Sequence, residues 1–264
     1  MKFATWNVNS LTVRLPQVID WLAANPVDVL GLQELKMSDD KFPVQAFADA
    51  GYQASFFGQK TYNGVALLTK LTVTNVVKNI PNFADEQSRV IAATVPSHVG
   101  DIRVVNGYFV NGHAPGTDKF EYKMSWLRGM RDYLRSELEA NPRVVVMGDF
   151  NITFDDADSW DPEGLRETIH HTTEERDHLK ALLALGFVDT HRACHSDLAI
   201  EKKDKLFSWW DYRDFGFKRN RGLRIDYVLA SDALRPHIAS CIIDKAPRKN
   251  ERPSDHTPVV MELG

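Results

Sequence analysis

One stretch constrains this chain more than any other, because an apolar run of strand length stops abruptly in two polar side chains. Residues 143–151 read Arg-Val-Val-Val-Met-Gly-Asp-Phe-Asn. Three valines and a methionine, bounded by Pro142 and Gly148, predict a strand buried on both faces. Alternation along an extended chain then aims Asp149 and Asn151 to one side, so that a carboxylate and an amide face one spot. Taken alone, the stretch reads first as a solvated Asp-x-Asn turn. Its recurrence along the chain argues for chemistry instead.

Residues 2–8 are strand-like and lead to Asn7 and Asn9, which share a face at period two. Leu15, Val18, Ile19 and Leu22 have helical spacing, and Asn25-Pro26 closes that segment. Residues 27–32 form a second apolar strand that runs into Gln33-Glu34. Strands follow at 65–69, 90–95 and 102–110, separated by Gly, Pro and Asp, with Asn106 and Tyr108 on one face of the last. Met124, Leu127, Met130, Leu134 and Leu138 make a helical stripe that belongs to a core and ends before Asn141-Pro142. Thr172 and Glu175 have capping-box spacing ahead of Leu179, Leu182 and Leu183, with Gly186 as the stop. Residues 155–163 read as an Asp-rich loop and 207–217 as an aromatic one. A strand over 225–230 carries Asp226 near its start, and Ser254-Asp255-His256 immediately precedes the last strand, 258–263.

Six strand edges therefore offer Asn7, Glu34, Tyr108, Asp149 with Asn151, Asp226, and Asp255 with His256. In a layered α/β domain whose strand ends converge on one rim, these groups make a cluster of oxygen ligands with one imidazole. Carboxylates and amides without thiolates suit Mg²⁺ or Mn²⁺ and are wrong for structural zinc. Glu34 and Asp255 are the first candidates for metal contact, and Asp149 for orienting or deprotonating an attacking water. Asp226 is placed to bond His256 and hold its tautomer. The alternative is a buried polar network that merely closes the sheet rim. His191, Cys194 and His195 lack a second pair at zinc spacing, and His170, His171 and His178 lack a His-Glu-x-x-His pattern.

Composition bounds the rest. The 264 residues, 43% of them hydrophobic, suffice for a sizeable core, and no apolar run approaches the roughly 18 residues of a membrane span. With two cysteines and no basic, apolar leader, the expectation is a soluble cytosolic protein. A net charge of -4 argues against a generally basic coat, while leaving two late clusters: Lys218, Arg219, Arg221, Arg224, and Lys245, Arg248, Lys249, Arg252. Such runs are commonly solvated loops.

Together the motifs resemble the exonuclease III family. Thr-Trp-Asn-Val-Asn at 5–9, Gly-Leu-Gln-Glu at 31–34, Gly-Val-Ala-Leu-Leu-Thr-Lys at 64–70 and Asn-Gly-Tyr-Phe at 106–109 carry the likeness. So do Met-Gly-Asp-Phe-Asn at 147–151, Phe-Ser-Trp-Trp-Asp-Tyr-Arg at 207–213, Arg-Gly-Leu-Arg-Ile-Asp at 221–226 and Pro-Ser-Asp-His at 253–256. The resemblance implies an α/β fold, a DNase I-like four-layer sandwich of two packed, mainly antiparallel β-sheets flanked by helices, as a single domain over 1–264. It implies a Mg²⁺-dependent phosphodiesterase (Mn²⁺ may substitute) that acts as a monomer on double-stranded DNA with abasic sites or 3′-ends. By position, Asn7, Glu34 and Asp255 match metal-site residues, and Asp149, Asn151 and His256 stand within the same metal site. Asp149 matches the water activator, Asn151 and His256 the phosphate ligands, with Tyr108 and Asp226 completing the shell. Arg89 and Lys123 match contacts to backbone phosphate, and Trp209, Leu223 and Ile225 an apolar pocket for a flipped, baseless sugar.

One departure matters. Ahead of Glu174-Glu175-Arg176 the family carries a small residue and then Phe, where this chain has His170 and His171. That loop borders the DNA, so two imidazoles there predict weak internal abasic incision beside robust trimming of 3′-ends. The competing functions are a phosphatase of a phosphorylated small molecule on the same rim and a non-catalytic DNA-binding module.

Overall fold

Helical and strand periodicities alternate along this chain, and each of two sheets is built around one β-α-β unit. The computed structural model describes residues 1–195 and 206–264. Strand β1 (Lys2–Asn7), helix α1 (Leu11–Ala24) and strand β2 (Val29–Gln33) found the first sheet. After α2 (Val44–Asp49), β3 (Gln53–Phe57) and β4 (Val65–Thr69) extend it. The second sheet takes β5 (Thr74–Lys78), β6 (Val90–Val95), β7 (Ile102–Tyr108) and, across α3 (Asp118–Ala140), β8 (Val144–Asp149). Next come α4 (Thr173–Leu183), β9 (Phe187–Asp189) and α5 (Thr190–Cys194), then a ribbon of β10 (Trp209–Trp210) and β11 (Gly222–Leu223). Strand β12 (Asp226–Ser231) returns to the second sheet, and β13 (Ile238–Ile243) with β14 (Val259–Leu263) completes the first.

The sheet orders are β13-β14-β1-β2-β4-β3 and β5-β6-β7-β8-β12-β9. All neighbours run antiparallel except β1 with β2 and β7 with β8. A parallel pair needs a crossover, which α1 and α3 supply, and it brings two strand C-termini to the same edge. Here those ends carry the polar residues.

Three apolar clusters make four layers. Phe3, Val29, Leu67, Val104, Val145, Met147 and Met261 fill the space between the sheets. Val144 and Val146 point the other way, onto Met124, Leu127 and Met130 of α3 and Leu179 of α4. Trp6, Leu30 and Leu32 meet Val18 and Leu22 of α1 on the opposite outer face. The strand predicted to be buried on both faces is so: every residue of β8 is buried. The capping box is present, with Thr172 Oγ1 accepting from Glu175 N at 3.1 Å and Glu175 Oε2 accepting from Thr172 N at 3.1 Å. No helix among the described residues is long and apolar enough to cross a membrane.

The sheets are also joined by amides. Asn106 of β7 donates to Leu32 O (3.0 Å) and Ala66 O (2.9 Å) in the facing sheet, and accepts from Gln33 at 2.6 Å. A Cβ on Gly31 would lie 2.7 Å from Asn106 Oδ1, so this crossing needs glycine opposite it. These buried amides fix one register between the sheets by their hydrogen bonds, although Gln33 Oε1 finds no partner among the described residues. They sit one and two residues before Glu34 and Tyr108.

Candidate active site

The two parallel pairs end side by side. Asn7 is in register with Gln33 at the end of β1 and β2, and Tyr108 with Asp149 at the end of β7 and β8. Asp226, first in antiparallel β12, pairs with Asp149. Strand β8 approaches β7 so closely that a Cβ on Gly148 would lie 1.9 Å from Gly107 O. Beyond the strands the backbone turns left-handed at Asn9 (φ 43°), Glu34 (φ 54°) and Asn151 (φ 51°). Asn151 therefore reaches the site through a turn rather than by the strand alternation expected from the sequence. Left-handed backbone at non-glycine residues clusters where surrounding contacts over-determine it.

Those contacts are dense. Asn7 Nδ2 donates to Asp149 Oδ2 at 2.9 Å and to Glu34 Oε1 at 3.0 Å. Asp149 also accepts from Asn151 Nδ2 (3.2 Å) and Asn151 N (2.9 Å). His256 Nδ1 lies 2.8 Å from Asp226 Oδ2, and its Nε2 lies 3.7 Å from Asp149 Oδ2. Glu34 accepts from the Tyr108 phenol and pairs with Lys36 at 2.8 Å. Lys36 donates to Asn9 Oδ1 at 2.6 Å, Asn9 Nδ2 to Asp255 Oδ1 at 2.9 Å, and Trp209 Nε1 to Asp255 Oδ2 at 3.0 Å. All eight residues read from strand edges thus meet at one rim. Asn9, Lys36 and Asn111, whose Nδ2 donates to Asn151 Oδ1 at 3.2 Å, join them without having been assigned a role. The signal for Asn9 was its shared face with Asn7.

Burial shapes the charges. It pushes Asp149 up to about 7, the charges of Asp226 and Glu34 adding to it and His256 opposing. Burial works against a charged His256, but the carboxylates of Asp226 and Asp149 outweigh it and carry the imidazole up to about 10. His256 is consequently an imidazolium whose Nδ1 donates to Asp226, its Nε2 facing Asp149 at 3.7 Å without a hydrogen bond. With Nδ1 engaged by Asp226, Nε2 is the His256 nitrogen left facing the site. One ligand atom each from Asp149, Asp226 and His256 lies within 4.8 Å of the others, yet Asp226 already engages Nδ1.

Several residues expected at the DNA surface lie elsewhere. Lys123 is 0% exposed; its Nζ pairs with the buried Glu175 and donates to Asn151 O (2.8 Å) and Asn111 O (3.1 Å). It cannot reach a phosphate outside. His171 is buried, with Nε2 2.9 Å from Ser159 Oγ. His170 turns its Nδ1 to Asn151 O at 2.6 Å. A carbonyl only accepts, so Nδ1 carries the proton; burial, with the Lys123 ammonium near it, pushes this ring down to about 3 and keeps it neutral. A cavity of about 400 Å³ is lined by Trp160, Leu165, Thr168, Ile169, Trp209 and Leu223 among others. Neither histidine is in its wall. Trp209 and Leu223 share this wall with the charged Asp211, Arg213, Asp214 and Arg221, whereas Ile225 is buried outside it, its N bonded to Ser208 Oγ at 3.1 Å. Arg89 is buried, bonded to Gln87 and to Tyr108 O, and lines a cavity of about 450 Å³ with Tyr108 and Asn111, its guanidinium 4.9 Å over the Tyr108 ring. The late basic clusters lose two members inward. Arg224 binds Asp158 at 2.6 Å and Asp189 at 2.7 Å, and Arg248 lies 5.1 Å over Phe217.

This rim, with an imidazolium between two carboxylates and amides aimed at the same point, suits attack on a phosphate ester. The profile described as the Endonuclease/Exonuclease/phosphatase family matches residues 4–256. The chain belongs to this family, in its exonuclease III-like DNA-repair nuclease branch. Exodeoxyribonuclease III of Haemophilus influenzae is 35% identical over 271 residues, covering 100% of both chains. The 3′ phosphatase NExo from Neisseria, solved bound to a product DNA hairpin, superposes with a TM-score of 0.95 at 43% identity over 100% of this chain and 99% of that one. An AP endonuclease from Archaeoglobus fulgidus gives 0.93 at 33% identity with the same coverage. Members of this family are metal-dependent, and the four-layer architecture expected from the motifs is the fold found here.

Proposed function

We propose that this protein is a Mg²⁺-dependent DNA-repair phosphodiesterase that cleans and trims 3′-ends of duplex DNA, freeing a 3′-hydroxyl. The observation that carries the chemistry is Asp149, held by Asn7 and Asn151 and pushed up to about 7, within 3.7 Å of the His256 imidazolium. A carboxylate with that affinity takes a proton from water near neutrality. The water oxygen bonds to phosphorus, the bond from phosphorus to the 3′-oxygen breaks, and the departing oxygen gains a proton from solvent. His256, fixed by Asp226, and the Asn151 amide donate to phosphate oxygens as charge develops there. Tyr108 completes the donor set.

The residues suit a hard divalent cation. Glu34 and Asp255 offer carboxylate oxygen, Asn7 adds amide oxygen, and the Lys36 ammonium already sits against Glu34 as a positive stand-in. When bound, the cation supplies charge neutralisation at the phosphate. Glu34→Ala is expected to raise the Mg²⁺ concentration for half-maximal rate by about tenfold or more, taking the loss of an outer-shell partner as the lower bound. An unchanged Mg²⁺ titration removes Glu34 from the site.

Preference for 3′-ends rests on the higher identity to a 3′ phosphatase, 43%, than to an AP endonuclease, 33%. Cavities adjoining both Tyr108 and Trp209 give room for a polymer strand, which disfavours a small phosphorylated substrate. Matched duplexes, one with a recessed 3′-phosphate and one with an internal abasic site, test the reading. Faster 3′-phosphate removal is expected; equal or faster internal incision overturns the preference, and no cleavage of either overturns the function.

A further inference from the structure

Trp209 stands in two places at once. Its side chain is part of the wall of the 400 Å³ cavity, and its indole N–H is the donor to Asp255 Oδ2 at 3.0 Å. The main chain ties the same residues together: Trp210 N donates to Asp255 O at 3.0 Å, and Trp209 forms a bridge with His256. Asp255 Oδ1 is taken by Asn9, so each carboxylate oxygen has one fixed donor and keeps a second lone pair. Without the indole N–H, the carboxylate would turn about the remaining bond to Asn9.

We infer that Trp209 is a positioning residue for the cation: its N–H orients Asp255, so that one side chain serves both the substrate cavity and the metal site. This rests on the reading of Asp255 as a cation ligand. Outer-shell donors to ligating carboxylates matter at about 10–100-fold in metal affinity. The ring's contribution to the cavity and the N–H's contribution to Asp255 are separable, because Phe keeps an aromatic wall and lacks the donor.

The test uses Mn²⁺ alone as the probe, titrated into the DNA-free protein and followed by its electron paramagnetic resonance signal. Trp209→Phe is expected to bind Mn²⁺ about tenfold more weakly than the parent. Ile169→Ala, which alters the cavity wall from another segment, should bind it within about twofold, the order of an effect without a lost partner. Substituting 3-benzothienylalanine for Trp209 keeps the bicyclic ring without the N–H, and should match Trp209→Phe; it decides the matter if the Phe variant fails to fold. Parent-like Mn²⁺ affinity in both Trp209 variants overturns the inference and leaves the metal site standing. Parent-like affinity in Asp255→Asn overturns the metal reading itself, and the inference with it.

Discussion

Asp149→Asn should keep the fold and lose turnover by about 10²–10⁴-fold, the range contributed by a positioned general base. The amide preserves the volume in a site where Asp149 is 1% exposed, and its oxygen can still accept from an asparagine neighbour. What it cannot do is take a proton from water. Stability should change little, and the direction follows from the linkage. In the cation-free protein the folded Asp149 stands at about 7 against an ordinary value of 3.8. A raised carboxylate favours the folded state below its unfolded value, and that contribution is lost as pH rises through about 7. Removing the charge therefore relieves a cost at pH 8, offset by His256 losing a neighbour. Single-turnover rates on a 3′-phosphate duplex, with a thermal melt as control, check both parts. Turnover within tenfold of the parent would take Asp149 out of the proton-accepting role.

The residues of this site were legible because they sit where a fully buried strand ends. Strands β1, β2, β4, β7 and β8 are buried along nearly their whole length, so their apolar runs stand out and their polar termini stand out with them. Edge strands are different. Strands β3, β5 and β13 present half or more of their residues to partial or full exposure, which erases the run that marks a strand. Direction is the other thing a linear motif withholds. Lys123 and Arg224 look like surface cations until the fold turns them inward onto Glu175 and onto Asp158 with Asp189. The same holds for His171 and Ile225: which neighbour a side chain meets is decided by elements far away in sequence. Asn9 showed only its shared face with Asn7, and Lys36, left-handed two residues after Glu34, has no strand run to mark it.

Lys123 gives the sharpest consequence of that inward turn. Read as a phosphate contact, its loss would weaken all duplexes alike and flatten the salt dependence by about one unit of slope. Its burial predicts the opposite pattern. Lys123→Met removes the cation beside Glu175, whose Oε1 also accepts from His170 N (3.1 Å) and whose Oε2 accepts from Thr172 N and Oγ1. A buried carboxylate left without its counter-ion costs about 3–5 kcal/mol. For a chain of this size that is a fall of on the order of 10 °C in melting temperature. The charge is only half of the role, however, because Nζ also holds the carbonyls of Asn111 and Asn151. Pairing the change with Glu175→Gln should recover much of the stability, since no charge is then stranded, but not all of the rate, since the carbonyls of Asn111 and Asn151 still lack their Nζ donor. A double-mutant cycle on melting and on turnover measures the two separately. An unchanged salt slope of DNA binding with lost stability is the expected result. A stable Lys123→Met with a flattened slope would return this lysine to the DNA surface.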